Sequence, residues 1–137
     1  MSLVKIEKKI KKFDKNLTTS GDKSLSIRWA LLASQSPYKS KSYNLLNSED
    51  VLNTLKCLRK LGVKIKFTKK FCEIFGVGLN GFKYKKSLSL DAGNSGTLGR
   101  LIMGLLVHCK ARIKLKGDKS LSKRDFLRVS KPLGRFG

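Results

Sequence analysis

Histidine and tryptophan occur once each in the 137 residues, proline twice, and acidic side chains number only nine. Each scarcity removes a class of explanation. Cys57, Cys72 and Cys109 contain no C-x-x-C pair and His108 stands alone, whereas a structural zinc takes about four ligands at local spacing, so the sequence offers no metal centre. An odd number of cysteines speaks against a disulfide-stapled secreted fold and for buried, reduced thiols. No Ser/His/Asp set can be assembled around His108. The longest apolar run, Leu101 to Val107, is interrupted by Gly104 and falls far short of the roughly 20 residues that cross a bilayer. The opening stretch, "MSLVKIEKKIKKFDKN", never forms the apolar middle of a signal peptide, which makes cytoplasmic residence the expectation. Neither a Walker A sequence nor a G-x-G-x-x-G is present, so nucleotide-binding folds are disfavoured.

What the chain has in excess is positive charge, with a formal net value of +22 and an apolar fraction of 40%, enough for a packed core. A polyanion partner is the first idea such a charge raises. Most of the basic residues are lysines scattered along the chain, however, and a compositional drift towards lysine would place them on every face. The aromatic residues are dispersed as well, and no RNP-type element or GXXG clamp appears. This reading disfavours nucleic acid as a partner and keeps a field that draws in small anions.

The apolar pattern is that of an α/β protein built from a repeat. Residues 1–20 read as an amino-terminal strand segment. From Gly21, "KSLSIRWALLASQS" reads as a helix with Leu25, Trp29, Leu32 and Ala33 on one face. "KSYNLL" reads as a strand. "NSEDVLNTLKCLRKLG" is the clearest helix, with Ser48 as cap, Glu49 and Asp50 at the positive end of its dipole, Val51, Leu52, Leu55 and Leu58 as the buried stripe, and Gly62 as its stop. "VKIKFT" and "FCEIFGV" make a hairpin across Lys69 and Lys70. The order then starts again with a strand "SLSLDA", a turn and helix "GNSGTLGRLIMGLLVHC", a strand "ARIKLKG", and a helix in "SKRDFLRVSKPLGRFG" that Pro132 interrupts or delays. The expectation is therefore a first β-α-β-α-β-β unit over 21–85 and a second, truncated unit over 86–137, with the remainder of the protein absent from this chain. Exposed strand edges would follow if nothing covered them.

Three turns within this frame look built for anions. A glycine-rich exit from strand to helix points unpaired N–H groups at one spot, where the helix dipole adds positive potential. "GDKSLSIR" supplies Lys23, the Ser24 hydroxyl and the Arg28 fork, which lies two helical turns from Gly21. "GNSGTLGR" supplies Asn94, Ser95 and Thr97, while Gly96 lets a ligand approach the backbone and Arg100 sits two turns on. "GDKSLSKR" spells the first hexapeptide again from Gly117 and adds Lys119, Lys123 and Arg124. Any one such turn is more often just a cap. Three of them within two repeats point to a shared anion pocket.

In order and spacing, "SGDKSLSIRWALLAS", "LLNSEDVLNTLKCLRKLGV", "LDAGNSGTLGRLIMGLL" and "LKGDKSLSKRDFLRV" resemble the amino-terminal third of the 5-enolpyruvylshikimate-3-phosphate synthases, or 3-phosphoshikimate 1-carboxyvinyltransferases. The resemblance runs from about Thr18 to Gly137. A sister family acting on a UDP-amino sugar carries Asn where Ser24 stands. The resemblance implies an inside-out α/β barrel of β-α-β-α-β-β units, incomplete here. It also implies transfer of the enolpyruvyl group of phosphoenolpyruvate to the 5-hydroxyl of shikimate 3-phosphate, with release of phosphate, in chorismate and aromatic amino acid biosynthesis. Neither metal nor organic cofactor is required on this reading. Lys23 would touch both substrates, Ser24 and Arg28 would bind shikimate 3-phosphate, and Asn94, Gly96 and Arg124 would bind phosphoenolpyruvate. Gly96 would line the spot where glyphosate competes, and Thr97 and Arg100 are further candidates.

Three departures from the family pattern stand out: Ser20 for a proline, Ile27 for a His or Asn, and Asp125 for a proline after the binding arginine. The larger departure is that the family's Ser-Ser-Gln loop and its catalytic aspartate, glutamate and lysine have no counterpart in this chain. The resemblance thus assigns no catalytic residue here. It predicts that the rest of the enzyme is needed in cis and that these residues alone bind anions weakly without turnover. The alternative is a stand-alone basic module that binds anions or nucleic acid.

Overall fold

The computed structural model describes Lys5, residues 19–79, 81–84 and 86–136; the expected amino-terminal strand falls almost wholly outside them. Helix α1 (Lys23–Gln35) leads to β1 (Lys39–Tyr43), α2 (Glu49–Lys60), β2 (Lys64–Phe67) and β3 (Phe71–Phe75). After a loop come β4 (Ser87–Asp91), α3 (Gly96–Leu106), β5 (Arg112–Lys116), the single turn α4 (Lys119–Ser122) and α5 (Leu127–Leu133), closed by a 3-10 turn over Gly134–Phe136. β3 lies between β1 and β2 and pairs antiparallel with both, whereas β4 and β5 run parallel, joined by α3.

Helix α2 forms as its sequence dictates. Val51, Leu55 and Leu58 are fully buried at helical spacing, Leu52 is half-buried, and Gly62 ends the helix in a left-handed conformation at φ 86°. Ser48 occupies the cap position, but its hydroxyl makes no cap bond and is buried without a partner. The expected cap is a backbone one only, with the Ser48 carbonyl accepting from the Leu52 N–H.

Helix α1 differs from expectation in which face it buries. Leu25 and Leu32 are 65% and 70% exposed, while Ile27, Ala30, Leu31, Ala33, Ser26 and Ser34 are buried. Of the expected stripe, Ala33 is buried and Trp29 packs against the core, while Leu25 and Leu32 face outward. α1 packs against α2, α3 and β3, and its inner face combines Ile27 and Leu31 with small residues where neighbours approach closely. Ser34 satisfies its buried hydroxyl on the Leu31 carbonyl at 2.6 Å. Ile27 is wholly enclosed in the core.

Two boundaries also move. The strand expected at "KSYNLL" lies earlier and stops at Tyr43, because Asn44 takes φ 58° and turns the chain. Pro132 neither interrupts nor delays the last helix: it sits within α5, which runs from Leu127 to Leu133. Cys57 and Cys72 are buried thiols, as expected, and Cys109 is half-buried. Burial pushes the Cys72 thiol up to about 11 and raises Cys57 as well, so neither is a thiolate near neutrality. Among the described residues no cluster of ligands could hold a metal, and no helix is long and apolar enough to cross a membrane.

Candidate anion site at the helix entrances

The identical hexapeptides fold identically at their first step. Asp22 caps α1 by accepting from the Leu25 N–H at 2.7 Å, and Asp118 caps α4 by accepting from the Leu121 N–H at 2.6 Å. Each leading glycine is required by close approach. A Cβ on Gly21 would collide with the Asn44 carbonyl and lie 2.8 Å from the Leu46 nitrogen, and one on Gly117 would collide with the Leu121 side chain and lie 2.7 Å from the Gly93 carbonyl.

Around Gly96 several polar side chains come together. Gly93, at φ 57°, turns β4 out of its sheet, and Ser95 caps α3 by accepting from the Leu98 N–H at 3.2 Å. Asn94 then projects between two partners. Its Nδ2 donates to Asp118 Oδ2 at 2.7 Å, and its Oδ1 accepts from Arg124 Nη2 at 2.8 Å. A Cβ on Gly96 would lie 2.9 Å from Arg124 Nη1 and 3.0 Å from Arg100 Nη1. Two guanidinium groups thus converge on the bare backbone at the N-terminus of α3, where the first amide N–H groups add their own positive potential. Arg100 is steadied from behind, donating to the Asp125 carbonyl at 3.3 Å and lying 5.4 Å from the Phe126 ring centre. Its Nε is buried with no partner. Asp125 accepts from the Leu127 N–H at 2.7 Å and so guides the chain into α5.

The α1 entrance reaches this cluster through α2. Lys23 Nζ lies 3.1 Å from Asp50 Oδ2, in the first turn of α2. One helical turn on, the Asn53 amide abuts Gly93, with Glu49 Oε1 3.9 Å from where a Gly93 Cβ would stand. The first turn of α2 therefore lies between the Lys23 turn and the Gly93 turn. Asp50, Asn53 and Asp118 organise the site, and the sequence reading used none of them this way; Asp50 was seen only as a partner for the helix dipole.

The structure brings Asn94, Gly96, Arg100 and Arg124 together and ties Lys23 to the neighbouring helix. Ser24 and Arg28 lie on α1 with no hydrogen bond to that cluster, and the exposed Arg28 instead borders a shallow apolar groove with Leu31, Leu32, Leu101 and Leu105. Thr97 follows Gly96 on α3, half-buried. Lys119 and Lys123 are exposed and make no salt bridge among the described residues. Asp91, at the end of β4, accepts from the Gly93 N–H at 2.9 Å, and that bond holds its carboxyl below the ordinary carboxylate range, with Lys116 a lesser contributor.

Comparison with known proteins gives this geometry a context. The family model described as EPSP synthase (3-phosphoshikimate 1-carboxyvinyltransferase) matches residues 7–137. A 3-phosphoshikimate 1-carboxyvinyltransferase of Ruthia magnifica is 46% identical over 88% of this chain, and one of Streptococcus mutans is 45% identical over 88%. An EPSP synthase structure from Acinetobacter baumannii superposes over 87% of the chain with a TM-score of 0.81 and 38% sequence identity. In each case the shared region is 27% or 28% of the relative's own length. The described elements thus form part of the enolpyruvyl transferase fold, and the chain belongs to the EPSP synthase family.

Proposed function

We propose that this chain supplies the anion-binding half-site of an enolpyruvyl transferase that joins phosphoenolpyruvate to shikimate 3-phosphate. The observation that carries the reading is the pair of guanidinium groups, Arg100 and Arg124, converging on Gly96 beside Asn94, in a chain of this family. Phosphoenolpyruvate carries a phosphate and a carboxylate, and a planar fork with a helix entrance suits both. Lys23 contacts both substrates, exchanging its pairing with Asp50 for a ligand oxygen. Ser24 and Arg28 take shikimate 3-phosphate, and Asn94, Gly96 and Arg124 take phosphoenolpyruvate, with Thr97 and Arg100 as further contacts.

Bringing two anions into contact is opposed by their mutual repulsion. Fixed cations and oriented amides offset that repulsion and hold the hydroxyl near the vinyl carbon before any bond forms. The acid and base that move protons belong, on this reading, to the part of the relatives' length that this chain does not span, joined in cis. The setting is cytoplasmic.

The test is a titration of the labelled chain followed by NMR. Shikimate 3-phosphate is expected to shift the amides of Ser24 and Arg28, phosphoenolpyruvate those of Asn94 and Gly96, and phosphate release is expected to stay at background. Shifts confined to other residues would overturn the substrate assignment. Phosphate release that rose with protein concentration would overturn the half-site.

A further inference from the structure

The lysines that look scattered in the sequence are gathered by strand alternation. Cys72 and Ile74 of β3 face the core, which turns Phe71, Glu73 and Phe75 outward. Pairing aligns Lys39 and Lys64 on either side of Phe75, Lys41 and Lys66 on either side of Glu73, and Tyr43 beside Phe71. The outer face of the three-stranded sheet thus carries four lysines, three aromatic rings and one glutamate. Lys39 and Lys41 lie 3.7 Å and 3.8 Å from Glu73, so the one carboxylate of this face is shared by two of its four lysines. Lys41 sits 4.5 Å from the Phe71 ring centre and 5.1 Å from that of Tyr43, and Lys66 sits 5.4 Å from Phe71.

This combination is absent from the other sheet. The outward residues of β5, Arg112, Lys114 and Lys116, are as basic but have no aromatic partner beside them on β4. Charge alone serves any polyanion. Rings held on a flat face among ammonium groups add a surface for stacking, and only unpaired bases offer both a phosphate chain and open π-faces. Tyr43 is 67% exposed and Phe75 39%, an unusual outward display for a sheet with charge on either side.

We propose that this sheet face binds single-stranded nucleic acid, with bases on Tyr43, Phe71 and Phe75 and phosphates on Lys39, Lys41, Lys64 and Lys66. The site is distinct from the helix-entrance cluster and does not depend on its function. Sequence reading disfavoured nucleic acid because neither lysines nor aromatics clustered along the chain, and the register of β1, β2 and β3 supplies the missing cluster.

The test is fluorescence anisotropy of a short labelled oligouridylate with the whole chain across a salt series. Four neutralised phosphates predict a log–log slope of about −3 for a single strand. Lys41→Glu with Lys66→Glu is expected to weaken binding at least about tenfold, against about threefold or less for the equal charge change Lys56→Glu with Lys114→Glu. Phe71→Leu keeps the apolar contact but removes the π-face and is expected to weaken binding about fivefold, with cooperative thermal melting retained at a slightly lower midpoint as the lysine–ring contacts are lost. Equal losses in the two double variants would overturn the proposal in favour of a diffuse field. So would phosphatidylserine vesicles or duplex RNA that bind as tightly as the single strand, or a Phe71→Leu protein that binds the strand unchanged.

Discussion

Two copies of Gly-Asp-Lys-Ser-Leu-Ser sit at two helix entrances, cap their helices with the same aspartate bond, and then use the rest of their atoms differently. In the first copy Ser26 is buried and its hydroxyl is spent on structure, donating to the Asp22 carbonyl at 2.6 Å and accepting from the Leu46 N–H at 3.1 Å. The lysine is drawn to Asp50. In the second copy Ser122 is exposed, Lys119 is unpaired among the described residues, and the spare carboxylate oxygen of Asp118 holds Asn94 for Arg124. The same peptide thus anchors α1 in the core in one place and orients an anion cluster in the other. Local sequence fixes the cap, and the surroundings decide what the remaining groups do.

Substitutions at the two leading glycines should separate the copies most strongly. Gly21→Ala drives a methyl group into backbone atoms on both sides, the Asn44 carbonyl and the Leu46 nitrogen, and is expected to cost about 3 kcal/mol in urea unfolding. Gly117→Ala meets one backbone atom and the movable Leu121 side chain, so a smaller loss of about 1–2 kcal/mol is expected. Equal losses would mean that the second turn is as rigidly embedded as the first.

Removing the caps sharpens the contrast. Asp22→Ala and Asp118→Ala should each cost about 1 kcal/mol in the same assay. Only Asp118→Ala should also weaken phosphoenolpyruvate binding, because Asn94 loses its partner, and Asp118→Ser should recover stability but not binding. Gly96→Ala is expected to change stability by less than about 0.5 kcal/mol, since the atoms it meets are the ends of two flexible arginines. Its phosphoenolpyruvate affinity should nonetheless fall several-fold as the guanidinium groups are pushed apart.

The smallest effect is expected from acid. Asp91 has its folded pKa lowered chiefly by the Gly93 N–H, so its contribution is complete above the ordinary carboxylate range and is lost as pH falls through the depressed value. The Gly93 amide signal should titrate with a midpoint below that of a free aspartate, and Asp91→Asn should abolish the titration.

How much of this could be read from the sequence depended on distance along the chain. The stripe of α2 and the stop at Gly62 were legible because helix period and a left-handed glycine are local properties. The buried face of α1 was legible only in part: Ala33 lies inside and Trp29 packs on the core, but neighbours on three sides bury Ile27, Ala30 and Leu31 and leave Leu25 and Leu32 outside. At the candidate site the turn residues themselves were legible. Their partnerships were not, since Asn94 meets Asp118 and Arg124 from 24 and 30 residues away, and Lys23 meets Asp50 on a different helix. The lysine and aromatic face needed strand register before it became visible at all.

The Gly93 carbonyl accepts from the Asp118 N–H at 2.9 Å, so the exits of two adjacent parallel strands are stitched to each other rather than to solvent. That one amide is a sentinel inside the candidate pocket. Its protection against deuterium would deepen when an anion stills either loop, and its early loss would mark the seam along which the two loops first come apart.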